Sequence, residues 1–254
     1  MKKYKGYLFD LDGTIYRGNQ AIPEAVRCIR RLREANIPYI FVTNNASRTN
    51  VDTARKLEDM GVPAEPENVL TSSMATAQYL KEKMPNATIF PIGEKGLLSV
   101  LEESGFHFSE TSPDCVVIGL DRKLTYEKLT TACLAIRGGA TFISTNPDRA
   151  FPSERGLLPG NGALTAAIAT ATGVEPIYIG KPEPIIIRQA LEILGIEAKD
   201  ALMVGDNYHT DILAGIRAGV DTLLVETGVT TAEELERIDE RPTYVAKSLD
   251  VISV

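Results

Sequence analysis

No apolar run in this chain approaches the roughly 20 residues a membrane-spanning helix needs, and with 44% apolar and 24% charged residues no bilayer partner is expected. Lys2, Lys3 and Lys5 precede only about four apolar residues, which end in Asp10, so they introduce no secretory leader and a cytoplasmic location is expected. Basic runs are also missing. The densest group, Arg27, Arg30, Arg31 and Arg33, sits at helical spacing opposite Val26, Ile29 and Leu32 and reads as a solvated helix face. With a net charge of −7 and no aromatics interleaved with that group, nucleic acid is not expected as a partner. Tryptophan is absent and cysteine scarce. Cys28, Cys115 and Cys133 are far apart, flanked by apolar residues and without a nearby histidine, which predicts buried free thiols in a reducing compartment rather than disulfides or a nucleophile. The chain shows neither internal repeats nor a low-complexity linker, and 254 residues suit one large α/β domain or two moderate ones.

What the chain does contain is an apolar stretch that stops abruptly in two carboxylates, Tyr7-Leu8-Phe9-Asp10-Leu11-Asp12-Gly13-Thr14. Apolar residues on both faces predict a central strand of a parallel sheet, whose carboxyl end is where such sheets bind ligands. Asp12-Gly13 alone would suit a hairpin turn. The next clear element is instead a helix opened by Pro23, so a second strand is not expected there. The pattern recurs. Tyr39-Ile40-Phe41-Val42 predicts a strand ending in Thr43-Asn44-Asn45, followed by a helix from about 50 to 60 closed by Gly61. Residues 88–92, 115–119 and 141–144 form a separate series of three strands with helices between them. Ile177-Tyr178-Ile179 leads into Gly180-Lys181-Pro182, and Ala201-Leu202-Met203-Val204 into Gly205-Asp206-Asn207, with Asp211 opening a helix five residues after Asp206. The run Gly156 to Gly162 lacks the third glycine of a dinucleotide fingerprint and reads as a tight loop before a helix.

Strands ending in Asp10, Thr43, Lys181 and Asp206 would bring these groups to one sheet edge. Asp10, Asp12, Asp206 and Asp211 there call for a hard, oxygen-ligated cation, and Mg²⁺ suits carboxylates combined with phosphate oxygens. Lys181 adds positive charge for phosphoryl oxygens or an ionised nucleophile. His209 lies among these groups but is expected to bind no metal, since Mg²⁺ disfavours imidazole.

In order, Asp-x-Asp-x-Thr, Thr-Asn after a strand, Lys at the head of a helix, and Gly-Asp-Asn with a second Asp resemble the four motifs of the haloacid dehalogenase superfamily. Val42-Thr43-Asn44-Asn45, Gly205-Asp206-Asn207-Tyr208, Thr210-Asp211-Ile212, Ser144-Thr145-Asn146-Pro147-Asp148 and Leu158-Pro159-Gly160-Asn161-Gly162 are similar to its NagD branch of 4-nitrophenylphosphatase-like enzymes. The resemblance implies an α/β protein with a Rossmann-like parallel-sheet core over 1–75 and 177–254 and an inserted α/β cap over 76–176. It implies a Mg²⁺-dependent phosphatase acting on small phosphomonoesters through an aspartyl phosphate. In that reading Asp10 is nucleophile and Mg²⁺ ligand, and Asp12 is general acid and base and gives the metal a backbone carbonyl. Thr43 and Asn44, with Asn45, bind the phosphate; Lys181 steadies Asp10; Asp206 completes the protein ligands; Asp211 and Asn207 support them from nearby.

Substrate selectivity is expected in the insertion closing over the strand ends. Within it, Asn146 and Asp148 are the candidate substrate contacts, with a plain turn as the alternative. A phosphoaspartate-bearing signalling or binding protein without turnover is the rival class, disfavoured because receivers are shorter and lack an insertion. A phosphomutase is the rival within enzymes, whereas dehalogenases lack the second carboxylate supplied by Asp12. A homo-oligomer is compatible with the sequence.

Overall fold

The structure, a computed structural model, describes residues 1–153 and 155–253. They form two compact units. The first takes in Met1–Thr43, Asn50–Leu70 and the chain from Lys181 onward; the second takes in Asn44–Thr49 and Thr71–Gly180.

In the first unit Gly6–Phe9 is a fully buried strand at the middle of a six-stranded sheet. The order across that sheet is Tyr244–Ala246, Asp221–Val225, Ala201–Gly205, Gly6–Phe9, Tyr39–Thr43 and Val69–Thr71. Leu8 lies opposite Met203 on one side and Ile40 on the other, both in parallel register. Alternate side chains of these strands bury on opposite faces, which is why the segment reads as continuously apolar. On one face Tyr7, Phe9, Phe41, Leu202 and Val204 pack against Ala25, Cys28, Ile29 and Leu32 of the helix Pro23–Glu34 and Leu57 of the helix Asn50–Asp59. Pro23 takes the first helical position, where its missing N–H costs nothing. The helices Pro184–Leu194 and Leu213–Ala218 also belong to this unit; Ile186, Ile187 and Ala190 of the first are fully buried.

The second unit has its own parallel sheet of five strands, in the order Ile177–Tyr178, Thr141–Ser144, Cys115–Ile118, Thr88–Ile92 and His107–Phe108. Phe90, Ile92, Val116, Ile118 and Phe142 bury one face beneath Ala132 and Ile136 of the helix Tyr126–Arg137 and Ile168 of the helix Asn161–Thr172. Each unit thus buries a core of its own. Cys28 and Cys115 are buried and unpaired, and burial pushes their thiols up to about 11 and about 12. Among the described residues no helix is long and apolar enough to cross a membrane.

Three local features differ from the sequence expectation. A short hairpin, Tyr16–Arg17 with Gln20–Ala21, does precede Pro23; it turns at Gly18, where φ is +59°, rather than at Asp12-Gly13. Its two-residue strands are too short to show a period. Gly156–Pro159 is no loop but a strand, paired antiparallel with Ala150–Ser153. Ile177–Tyr178 joins the second unit's sheet beside Ile143 and Ser144, so Lys181 is not delivered by a strand of the core sheet. Apolar character alone does not say which of two parallel sheets a two-residue strand enters.

Candidate active site

Parallel strands end on a common edge, and three in the first unit end at side chains expected in the site. Gly6–Phe9 runs into Asp10, Tyr39–Thr43 ends at Thr43, and Ala201–Gly205 runs into Asp206. Lys181 reaches them from just ahead of the helix Pro184–Leu194. Its ammonium donates to Asp10 Oδ1 at 2.6 Å, Asp211 Oδ1 at 2.7 Å and the Val42 carbonyl at 2.9 Å. Asp10, Asp206 and Asp211 each offer a carboxylate oxygen, and these oxygens lie within 4.8 Å of one another.

The three carboxylates differ in access. Asp10 keeps 14% of its side chain exposed, against 2% for Asp211, while Asp206 is 1% exposed. Each inner one is held by its own donors. Asp206 accepts from the Thr14 hydroxyl at 3.1 Å and the Val229 amide at 2.8 Å. Asp211, expected as the opener of a helix, instead points inward to Lys181 and accepts from the Asn207 amide at 3.1 Å. The turn is capped by Asn207, whose side chain accepts from the His209 amide at 3.0 Å. His209 faces away from the cluster, with Nε2 2.9 Å from Glu234.

Burial and charge set the proton affinities. Burial, then the neighbouring Asp211, lift the Asp10 carboxyl well above its ordinary range, with Lys181 pulling the other way. Burial and Asp211 push Asp206 up to about 6 against the opposing Val229 and Thr14 hydrogen bonds. For Lys181 burial favours the neutral amine, but Asp10 and Asp211 outweigh it and hold the ammonium firmly protonated. One lysine faces three carboxylates, so the cluster fits a hard cation: its donors are all oxygen, close together, buried and short of positive charge.

Asp12 stands outside that cluster, exposed, with Oδ2 accepting from the Tyr16 hydroxyl at 3.1 Å. Thr43 is buried. Asn44, Asn45, Asn146 and Asp148 belong to the second unit. Asn45 Oδ1 accepts from the Ser47 amide and hydroxyl at 2.9 and 2.8 Å. The Asn146 amide donates to the Asn44 carbonyl at 2.8 Å and to Thr145 Oγ1 at 3.3 Å, while its oxygen accepts from the Asp148 N–H at 3.1 Å. Asp148 Oδ1 in turn accepts from Asn44 Nδ2 at 3.0 Å.

Sequence reasoning gave no role to the groups that hold Asp206 and Asp12. Thr14 and Gly13 lie inside the first motif; Tyr16 follows it. Gly13 has φ +87°, and a side chain there would drive into the Asp206 carboxylate, as would one at Gly228. Only Gly13 had a local signal. Gly228 and Val229 meet Asp206 from a loop more than twenty residues away, which no spacing announces.

The first part of the chain, residues 7–107, matches the family model described as haloacid dehalogenase-like hydrolase, and residues 178–252 match a second HAD-hydrolase-like model. The chain is 53% identical over 249 residues to the 5'-nucleotidase YutF of Bacillus subtilis strain 168, covering 98% of this chain and 97% of that protein. The chain belongs to the haloacid dehalogenase-like hydrolases. A second relative within this family is the acid sugar phosphatase of Staphylococcus epidermidis ATCC 12228, 50% identical over 252 residues, 99% of this chain and 97% of that one. The crystal structure of a double mutant thermostable NPPase from Geobacillus stearothermophilus superposes with TM-score 0.93 at 55% identity, over 99% and 98% of the two chains. NagD from E. coli K-12 superposes with TM-score 0.94 at 34% identity, over 99% of each. The expected superfamily and its NagD-like branch are therefore found, and so is the α/β fold with a parallel-sheet core.

Proposed function

We infer that this haloacid dehalogenase-like hydrolase is a phosphoric monoester hydrolase that cleaves small phosphomonoesters through an aspartyl phosphate on Asp10, with Mg²⁺ in the carboxylate cluster. The observation that carries the reading is the asymmetry of the cluster. Asp10 is the most exposed of three clustered carboxylates, and one of its oxygens is held by Lys181 at 2.6 Å. The ammonium opposes the burial and the Asp211 charge that raise the Asp10 carboxyl, and a cation bound beside it would act in the same direction. The ionised carboxylate then has its other oxygen to form a bond to phosphorus as the ester P–O bond breaks. Asp12, oriented by Tyr16, gives its proton to the departing alcohol. In the second half it takes a proton from water, whose oxygen attacks phosphorus and frees phosphate and the Asp10 carboxylate.

Asp10, Asp206 and the Asp12 carbonyl would hold Mg²⁺, which when bound offsets the charge on the phosphoryl oxygens. Asp211 and Asn207 support these ligands. Thr43, Asn44 and Asn45 supply phosphate donors at the end of their strand, and Lys181 adds positive charge. The second unit, through Asp148 among its residues, governs which esters are accepted. Relatives carrying nucleotidase, sugar phosphatase and NPPase names support nucleoside, sugar and aryl phosphates as the substrate range. The unpaired thiols suit a reducing, cytoplasmic setting.

The test is a panel of phosphomonoesters with purified protein, Mg²⁺ and then a chelator. Multiple turnovers that stop on chelation and resume with Mg²⁺ are expected. A single equivalent of phosphate per chain would make it a phosphoaspartate signalling protein, and no release from any ester would overturn the reading.

A further inference from the structure

A buried cluster of hydroxyls and amides in the second unit lies outside the chemistry just described. The chain passes between the two units at 43/44, 49/50, 70/71 and 180/181. On the second unit's side, three of these passages are tied together. The Asn44 carbonyl accepts from Ser72 Oγ at 2.7 Å and from Asn146 Nδ2 at 2.8 Å. The Gly180 amide donates to the Thr145 carbonyl at 2.9 Å, and a Cβ at Gly180 would come within 2.6 Å of that oxygen and 2.5 Å of Asn44 Oδ1. The turn Ser144-Thr145-Asn146 therefore sets where Asn44 and Gly180 lie. Their next neighbours along the chain are Thr43 and Lys181.

What holds that turn is Asn161, the first residue of the helix Asn161–Thr172, 2% exposed. Its Nδ2 donates to the Asn146 carbonyl at 2.8 Å and lies 2.9 Å from Ser144 Oγ and 3.3 Å from Thr145 Oγ1. A carbonyl can only accept, so the nitrogen end of the amide faces the turn. Among the described residues Oδ1 has no partner. The donor end is the part of this amide that engages the turn.

We propose that Asn161 is a positioning residue: by gripping the 144–146 turn it fixes Asn44 and Gly180, and through them the placement of Thr43 and Lys181. This rests on the phosphatase reading of those two residues. It also assigns Asn146 to placing the phosphate site rather than to contacting the variable part of the ester, since both its amide and its oxygen are engaged within the unit.

Asn161→Ala and Asn146→Ala are to be compared with the natural protein on an aryl, a sugar and a nucleoside phosphate, with inorganic phosphate as inhibitor. Each variant should lose kcat/KM about tenfold, by one common factor for all three esters, and bind inorganic phosphate more weakly by a similar factor. Asn161→Asp keeps the outline but not the donor and should not restore activity. Acting through one turn, the two alanine changes should combine to less than the product of their separate losses. If Asn161→Ala does not fold, Asn146→Ala must show the common loss by itself. A lowered Tm with kcat/KM and phosphate inhibition unchanged would overturn the proposal, and so would a change in the ratio between esters. Should the natural protein turn over no ester, the phosphatase reading fails instead.

Discussion

Each unit of this molecule buries a polar cluster, and the two clusters are built on opposite principles. In the first unit Asp10, Asp206 and Asp211 crowd around one lysine, ionic and short of positive charge. In the second, Ser144, Thr145, Asn146, Asn161 and Thr165 are neutral and largely satisfy one another, Ser144 Oγ lying 2.9 Å from Thr165 Oγ1. Burying like charges is costly unless something neutralises them, whereas neutral groups joined by hydrogen bonds are stable as they stand. The ionic cluster is thus compatible with a hard cation. The neutral one is prepared to hold backbone in place.

Breaking the ionic cluster at its exposed member should have the largest effect. Asp10→Asn preserves shape and removes the proposed nucleophile, so turnover should fall by about 10⁴ or more with circular dichroism unchanged; appreciable hydrolysis would move the nucleophile elsewhere. Asp12→Asn should slow hydrolysis by roughly 10² to 10⁴, the usual worth of a general acid and base. A loss below threefold would make Asp12 structural.

Thr14→Val takes one hydrogen bond from Asp206 and nothing from the bulk of the core. Mg²⁺ affinity, followed by the metal dependence of turnover, should weaken about 10- to 100-fold, as when the partners of metal ligands are removed. Unchanged affinity would show that the Val229 amide alone suffices to orient Asp206.

The comparison also has a pH signature. Burial and Asp211 push Asp206 up to about 6, above the ordinary carboxylate range near 4, so between those values the fold favours a proton that the unfolded chain releases. That contribution to stability is fully present below the unfolded value and is lost as pH rises through about 6. A cation replaces the proton. Mg²⁺ at one fixed concentration, about 100 times its dissociation constant at pH 8, should therefore raise Tm by roughly 5 °C or more at pH 8 and much less at pH 5, measured by scanning calorimetry. An equal rise at both values would mean that Mg²⁺ binds elsewhere. Thr165→Val, which touches only the neutral cluster, should show the smallest effect, about 1 kcal/mol of stability with no dependence on Mg²⁺.

The candidate site of the first unit was legible because each strand carries a polar side chain on its own end. A run such as Tyr7 to Phe9 can only be a buried strand, and Asp10 follows it within one residue. Asp206 and Thr43 are readable for the same reason. Asp211 was recognisable as part of the site but not as a buried acceptor for Lys181, because a carboxylate at the start of a helix looks the same in sequence whether it caps or points inward. Asn146 was noticed as a candidate substrate contact, but nothing near it in the chain shows that its amide meets the Asn44 carbonyl.

By itself the sequence determined the strand-end carboxylates, the order of the motifs, the family and the class of hydrolase, all written in short stretches whose periodicity and turn residues act locally. Tertiary structure alone decided that Ile177–Tyr178 joins the second sheet, that Lys181 arrives from a helix start, and that Gly228 and Val229 close over Asp206. It alone decided that Asn161 grips the turn beside Asn44. Each of these depends on hydrogen bonds or close approaches between residues far apart in the chain, and the energy of such a contact is set by where the fold brings the partners, not by the residues on either side of them.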